Sequence, residues 1–314
     1  MTTDSNATQD VDVVVVGAGL AGLAAARSLA AAGLRPLVLE KQATVGGRVR
    51  TDVVDGFRLD HGFQLYNPAY PEGKRVFDYA GLDLRPFTRG AMVSLPSRNW
   101  LVADPRNEPR AMWQAIRSPI GSVSAKLRFA WYALARERMS ASEVIGQNDC
   151  TALEALRAAG IDDELTDSMI RPFLSGVFLE PDLVTSRRFM DLVLRSFVRG
   201  TPSVPAQGMQ ALPEQLAAAL PQGRVRTSAS VLSIRGTGPL QVTTDFGEVT
   251  ARAVVIATDP RGVSALLEGF TAPPMNSVTT WYHRATQAPS ELAGGSPVLV
   301  VDGRGPRRAG PLVN

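Results

Sequence analysis

The chain has 314 residues, 45% of them hydrophobic, with 33 Lys plus Arg against 30 Asp plus Glu, which fits a globular protein of two domains. Its one cysteine, Cys150, excludes an internal disulfide and a CxxC redox pair, and with only His61 and His283 as histidines no metal site is expected. The positive charge is almost all arginine scattered among acids, with no basic run interleaved with aromatics, so a nucleic-acid partner is not expected.

Residues 1–10 read as a disordered tail. The leader MTTDSNATQDVD is acidic and polar where a secretory signal would be basic. The apolar run that follows is interrupted by Arg27, Gly33, Arg35 and Pro36. No membrane span is therefore expected, and the location is read as cytoplasmic. Residues 11–16 form a β-branched run typical of a strand buried on both faces. Residues 20–32 are rich in Ala and Leu and stop at Gly33, a good residue just past a helix end. Residues 37–39 are a second apolar strand ending at Glu40. The order strand, turn, helix, strand is a βαβ unit. The turn carries VVVVGAGLAGL, with Gly17, Gly19 and Gly22 in GxGxxG spacing. In that spacing the glycines serve a tight turn, a close approach to pyrophosphate and helix–strand packing. Glu40 stands where an acid holds a ribose hydroxyl, which favours FAD or NAD over NADP. A merely structural glycine turn is the alternative.

From about 66 to 200 helical patterns dominate, at 122–138, 151–159 and 182–198. Leu183, Phe189, Leu192, Val193 and Phe197 share one apolar side of the last, read as core packing rather than a substrate wall. Arg171-Pro172-Phe173 ends a helical pattern, and Arg171 either orients an anionic substrate or sits at the surface. A Pro-rich link at 201–207 leads to a helix at 209–220. Strand-like runs at 225–234, 240–246 and 249–257 follow, joined by hairpin connections.

Directly after Glu40 comes KQATVGGRVR, residues 41–50. Here the chain resembles the flavin-dependent amine oxidase superfamily, which includes phytoene desaturases and protoporphyrinogen oxidases. Gly46-Gly47-Arg48 matches that family's Gly-Gly-Arg. GFRLDHGFQ at 56–64, PAQGMQAL at 205–212 and VVIAT at 254–258 resemble further family segments. The resemblance implies an α/β fold: a Rossmann-like FAD-binding domain from 11–65 and 201–271, and a helix-rich substrate domain from 66–200 and 272–314. It implies FAD as cofactor, bound by Gly17, Ala18, Gly19, Leu20, Ala21 and Gly22, by Glu40 and Lys41, and by Gly46, Gly47 and Arg48. Gly62, Phe63 and Gln64 would lie near the flavin ring, and Val231 would place backbone against the adenine.

The implied reaction is oxidation of a CH–NH or CH–CH bond of a hydrophobic small molecule by hydride transfer to flavin. No residue is assigned to catalysis. His61 is read as a turn residue whose backbone matters more than its ring, with a catalytic base beside the flavin as the alternative, and His283 is unassigned. Lys41, Lys74 and Lys126 do not match the lysine that amine-oxidising members place near the flavin. The family continues past a point where this chain reads DGRGPRRAGPLVN, which implies a missing strand and one missing wall of the flavin site. A truncated, inert dinucleotide-binding protein or partner subunit is therefore the alternative function, and an NAD-dependent enzyme is a third.

Overall fold

The computed structural model describes residues 11–304 except 105, 107, 288–290, 292–294 and 296. The expected tail at 1–10 and the stretch 305–314 lie outside the described residues. The chain divides into two compact units. The first comprises Met1–Gln64, Arg75–Asp83 and Pro205–Met275; the second comprises Leu65–Lys74, Leu84–Val204 and Asn276–Asn314. Residues 75–83, grouped with the helical middle on sequence, belong to the first unit. Arg27 donates to the Val76 carbonyl there, and Gln215 holds both the Asp78 N–H and the Asp78 carbonyl at 2.9 Å.

The first unit is built on the βαβ segment: β1 (Val13–Val16), α1 (Leu20–Ala31) and β2 (Pro36–Leu39). The strand Ala253–Ile256 pairs parallel to the other edge of β1, and Val225–Arg226 pairs parallel to β2. Both central strands are buried throughout, so their side chains divide by parity. Val13, Val15 and Val38 face Leu23 and Ala26 of α1 and Leu216 of the helix Ala211–Ala218. Val14, Val16, Leu37 and Leu39 face Val242 and Ala251 of an antiparallel three-stranded sheet. The parallel sheet is thus sandwiched, which is why its strands read as unbroken valine and leucine.

The expected strands 225–234 and 249–257 are each broken in two. Residues 225–226 belong to the parallel sheet and Val231–Arg235 to the antiparallel one. Between them the chain crosses the end of β2, where Ser228 N–H donates to the Gln42 carbonyl and Ala229 N–H to the Glu40 carbonyl, both at 2.8 Å. The second break falls at Arg252, whose N–H donates to the Asp12 carbonyl at 3.0 Å. Gly247–Ala251 lies before it in the antiparallel sheet, and Ala253–Ile256 after it beside β1.

A hairpin, β3 (Arg50–Val54) and β4 (Phe57–His61), completes the part of this unit that matters below. It turns through Asp55 and Gly56, both at positive φ, as a two-residue Asp-Gly turn requires.

The second unit packs helices against a small mixed sheet, in which Leu299–Asp302 runs parallel to Gly90–Ser94 and Asn99–Ala103 antiparallel to it. Its core joins Val93 and Val301 of that sheet to Leu156, Leu165, Leu174, Met190 and Leu194 of the helices. The helix expected at 182–198 starts at Arg187, behind a Ser186 cap. Leu183 precedes it in a left-handed turn with φ 55 and is fully buried. Arg171-Pro172-Phe173 opens a helix, Arg171–Phe178, instead of ending one. A π-helical turn at Thr166–Ile170 runs directly into it, so Pro172 stands at the start of this helical segment, where a missing N–H is tolerated. Among the described residues no helix is long and apolar enough to cross a membrane.

Candidate functional site

The site grows from the end of β1. Gly19 is the N-cap of α1, and no side chain caps that helix end. Its first amides and the positive end of its dipole are thus presented at the glycine turn. A Cβ on Gly22 would lie 1.9 Å from the Gly17 carbonyl oxygen, closer than any side chain allows. The first turn of α1 therefore rests directly on the loop, and only glycine fits.

Glu40, at the end of β2, is only 6% exposed. Its Oε2 accepts from Ala18 N–H at 2.8 Å and its Oε1 from Gln42 N–H at 2.9 Å. An ionised carboxylate has about four acceptor positions. Two backbone donors leave capacity for two more, and among the described residues no cation pairs with Glu40.

The second glycine loop closes on the first. Gly46 N–H donates to the Ala18 carbonyl at 2.8 Å, and Gly19 and Gly46 form an isolated parallel bridge. Gly46 has φ +116, and a Cβ there would lie 2.3 Å from the Val49 carbonyl oxygen. Ala18 thereby binds both partners: its N–H holds Glu40 and its carbonyl holds Gly46. Arg48, just beyond, is exposed and makes no hydrogen bond or ion pair among the described residues.

The remaining sequence-derived positions fall as follows. Leu20 is half-buried, and Ala21 and Lys41 are exposed beside the two loops. Gly62 adjoins the second loop, since a Cβ on it would lie 3.3 Å from the Arg48 carbonyl oxygen. Phe63 is 54% exposed and Gln64 half-buried. Val231 follows the crossing at Ala229 and packs on the core of Val14, Leu37 and Leu39. The structure thus gathers 17–22, 40, 46–48 and 62, with Val231 reached through the backbone bonds of residues 228–229.

His61 is not a turn residue. It ends β4, and its Nε2 lies 2.7 Å from Asp52 Oδ2 across the hairpin. That hydrogen bond, then the charges of His61 and Arg50, hold the exposed Asp52 carboxyl below its ordinary range. Arg171 is tied to Asp167 at 2.8 Å and to the Pro181 carbonyl at 2.7 Å, which makes it a strut of the π turn rather than a free anion ligand. His283 has no structured element around it. No group of three or more His, Cys, Asp or Glu side chains converges among the described residues.

Three residues beside the second loop were not singled out on sequence: Thr51, Asp60 and Gln210. The Asp55-Gly56 turn carries the signal, because it sets the hairpin register that pairs Thr51 with Asp60.

A dinucleotide fits these residues. The two loops meet over the open end of α1, Glu40 has spare acceptor capacity, and Arg48 is a nearby cation unpaired among the described residues. Comparison with known proteins agrees. Residues 20–301 match the model of the flavin-containing amine oxidoreductases, and the chain belongs to that family.

Among individual relatives, 15-cis-phytoene desaturase of Capsicum annuum is 24% identical over 343 residues, covering 94% of this chain and 57% of that protein. Putrescine oxidase of Kocuria rosea is 50% identical over 72 residues, covering 23% of this chain and 15% of that protein. A solved putrescine oxidase bound to putrescine superposes with a TM-score of 0.61 at 22% identity, over 82% of this chain and 60% of that one. The chain therefore spans less than two thirds of each of these relatives. Family membership makes flavin the cofactor and oxidoreduction the family chemistry, on a mixed α/β fold shared with the solved relative.

Proposed function

We propose that the first unit binds FAD and that the protein oxidises a CH–NH or CH–CH bond of a hydrophobic small molecule. The observation that carries this reading is Ala18, whose two backbone groups join the GxGxxG turn to Glu40 and to the Gly46-Gly47-Arg48 loop. Glu40 would accept from the ribose hydroxyls with its remaining lone pairs. The amides of Gly19, Leu20 and Ala21 at the α1 N-terminus, with Arg48, would face the pyrophosphate. Lys41 and Val231 would flank the adenosine, and Gly62, Phe63 and Gln64 the flavin ring.

When bound, the flavin supplies the two-electron acceptor, while this chain's residues bind and orient it. The second unit is assigned to the substrate. Relatives named for putrescine and for phytoene support an amine or a hydrocarbon as its class. An acid at position 40, which would accept from an unphosphorylated ribose and repel a phosphorylated one, supports FAD over an NADP-type nucleotide.

Titration of the full chain with FAD, and separately with NAD, tests the cofactor. FAD is expected to bind and give a yellow complex. Binding of NAD alone would overturn the reading. Anaerobic bleaching of that complex by a panel of hydrophobic amines and polyenes tests the reaction, and a complex that no member bleaches would count against oxidation.

A further inference from the structure

The loop that carries Gly46, Gly47 and Arg48 has no strand or helix of its own, yet its start is fixed from the far side. β3 and β4 pair Thr51 with Asp60, and Thr51 Oγ1 donates to Asp60 Oδ1. The same Asp60 oxygen accepts from Met209 N–H at 2.9 Å, and Asp60 is 8% exposed. Thr51 Oγ1 in turn accepts from Gln210 N–H at 2.9 Å. The Gln210 side chain then reaches the glycine loop, with Nε2 donating to the Val45 carbonyl at 2.9 Å. Its Oε1 is buried without a partner and lies 3.4 Å from where a Cβ on Gly46 would stand. Flipping the amide would set that oxygen against the Val45 carbonyl, so the donor role of Nε2 is fixed. From Gly46 the connection continues through the Ala18 carbonyl to the Glu40 carboxylate.

We propose that Asp60, Thr51 and Gln210 are positioning residues that hold the 45–48 loop in its ligand-binding shape and so set the affinity for FAD. The inference rests on the FAD reading above. Gly46-Gly47 is among the most costly sequences to order, because glycine has the most backbone freedom to lose. A loop ordered by the fold presents its amides and Arg48 without drawing that cost from the binding energy. Gln210 acts at one remove, through the Val45 carbonyl, while Asp60 and Thr51 act through Gln210.

The test is an FAD titration of the full chain, freed of flavin, beside thermal unfolding of the same samples. Gln210→Met keeps the length of the side chain and removes its donor, and Thr51→Val removes the hydroxyl at near-constant volume. Each is expected to raise the Kd for FAD about tenfold, the equivalent of about one lost hydrogen bond. Thr51→Ser restores the hydroxyl and is expected to return the Kd to within about twofold of the parent. Asp60→Ala removes the oxygen that accepts from both Thr51 Oγ1 and Met209 N–H and is expected to raise the Kd about tenfold as well. Gln210→Glu, which sets an acceptor against the Val45 carbonyl, is expected to bind no better than Gln210→Met.

Unchanged FAD affinity in Gln210→Met and Thr51→Val, whatever their melting temperatures, would overturn the proposal. Should Gln210→Met fail to fold, the Thr51→Val and Thr51→Ser pair decides it alone. A parent chain that binds no FAD would instead overturn the cofactor reading, and the positioning role with it.

Discussion

Of the carboxylates buried in the two units, Glu40 and Asp191 are satisfied in opposite ways. Glu40 in the first unit is held by two backbone N–H groups and, among the described residues, by no cation. Asp191 in the second is 1% exposed and is held by side chains. Tyr132 OH donates to its Oδ1 at 2.6 Å, while the Nε atoms of Arg136 and Arg187 lie 3.6 and 3.4 Å from its Oδ2. Arg136 also lies over the Tyr132 ring, 4.5 Å from its centre. Backbone donors fix the Glu40 carboxylate without neutralising its charge, whereas the paired arginines neutralise Asp191. The first arrangement prepares a binding group, and the second ties two helices, Val123–Arg138 and Arg187–Arg199, into one core.

Four substitutions sharpen or break that contrast. Asp191→Ala strands two arginines in the helical core and is expected to cost about 3–5 kcal/mol in urea unfolding, with FAD affinity of the folded protein unchanged. A loss of affinity without a loss of stability would reverse the assignment of roles.

Tyr132→Phe removes one bond to a buried charge, a loss of about 1.5–3 kcal/mol. Burial first, then the Asp191 hydrogen bond and charge, push the Tyr132 phenol above its ordinary 10.0. Because the native state raises this pKa, the contribution is fully present below 10.0 and fades as pH climbs toward the folded value. The gap between parent and Tyr132→Phe should therefore be flat from neutrality up to pH 10 and narrow above it.

Glu40→Gln sets an NH2 against one of two backbone donors. Its stability cost should be about 1 kcal/mol, while FAD binding weakens about tenfold. Equal FAD affinity in parent and variant would remove Glu40 from the site. The exposed pair Arg157–Asp163, at 3.2 Å, supplies the smallest effect: Arg157→Ala should lower the unfolding free energy measured in urea by less than about 1 kcal/mol.

What could be read from the sequence was local. Gly17, Gly19, Gly22 and Glu40 lie within one βαβ unit, so chain spacing alone sets their geometry. The family membership drawn from Gly46-Gly47-Arg48 holds for the same reason, since that loop is only a few residues beyond. Features fixed by distant partners were not legible. The runs at 225–234 and 249–257 look continuous because their hydrophobicity is; what divides them is bonding to Glu40, Gln42 and Asp12. Leu183 carries a helical pattern but sits in a left-handed turn, since burial of its side chain outweighs the local preference. Pro172 suggests a helix end, yet it stands at the start of a helical segment, where a missing N–H is tolerated. Gln210 could not be tied to Val45 from the sequence, because nothing in the spacing of two loops so far apart reports a side-chain bond.

The parallel pairing of Val13 with Ala253 also governs how the protein is made. Synthesis at about 5–20 residues per second delivers the second strand beside β1 within seconds, but the partner on the other edge only after tens of seconds. During that interval a run of four valines has one bare ladder edge, a template for pairing with another copy. Yield in a cell would then depend on whatever shields that edge during translation, such as a chaperone or a slower rate of initiation, more than on the stability of the finished fold.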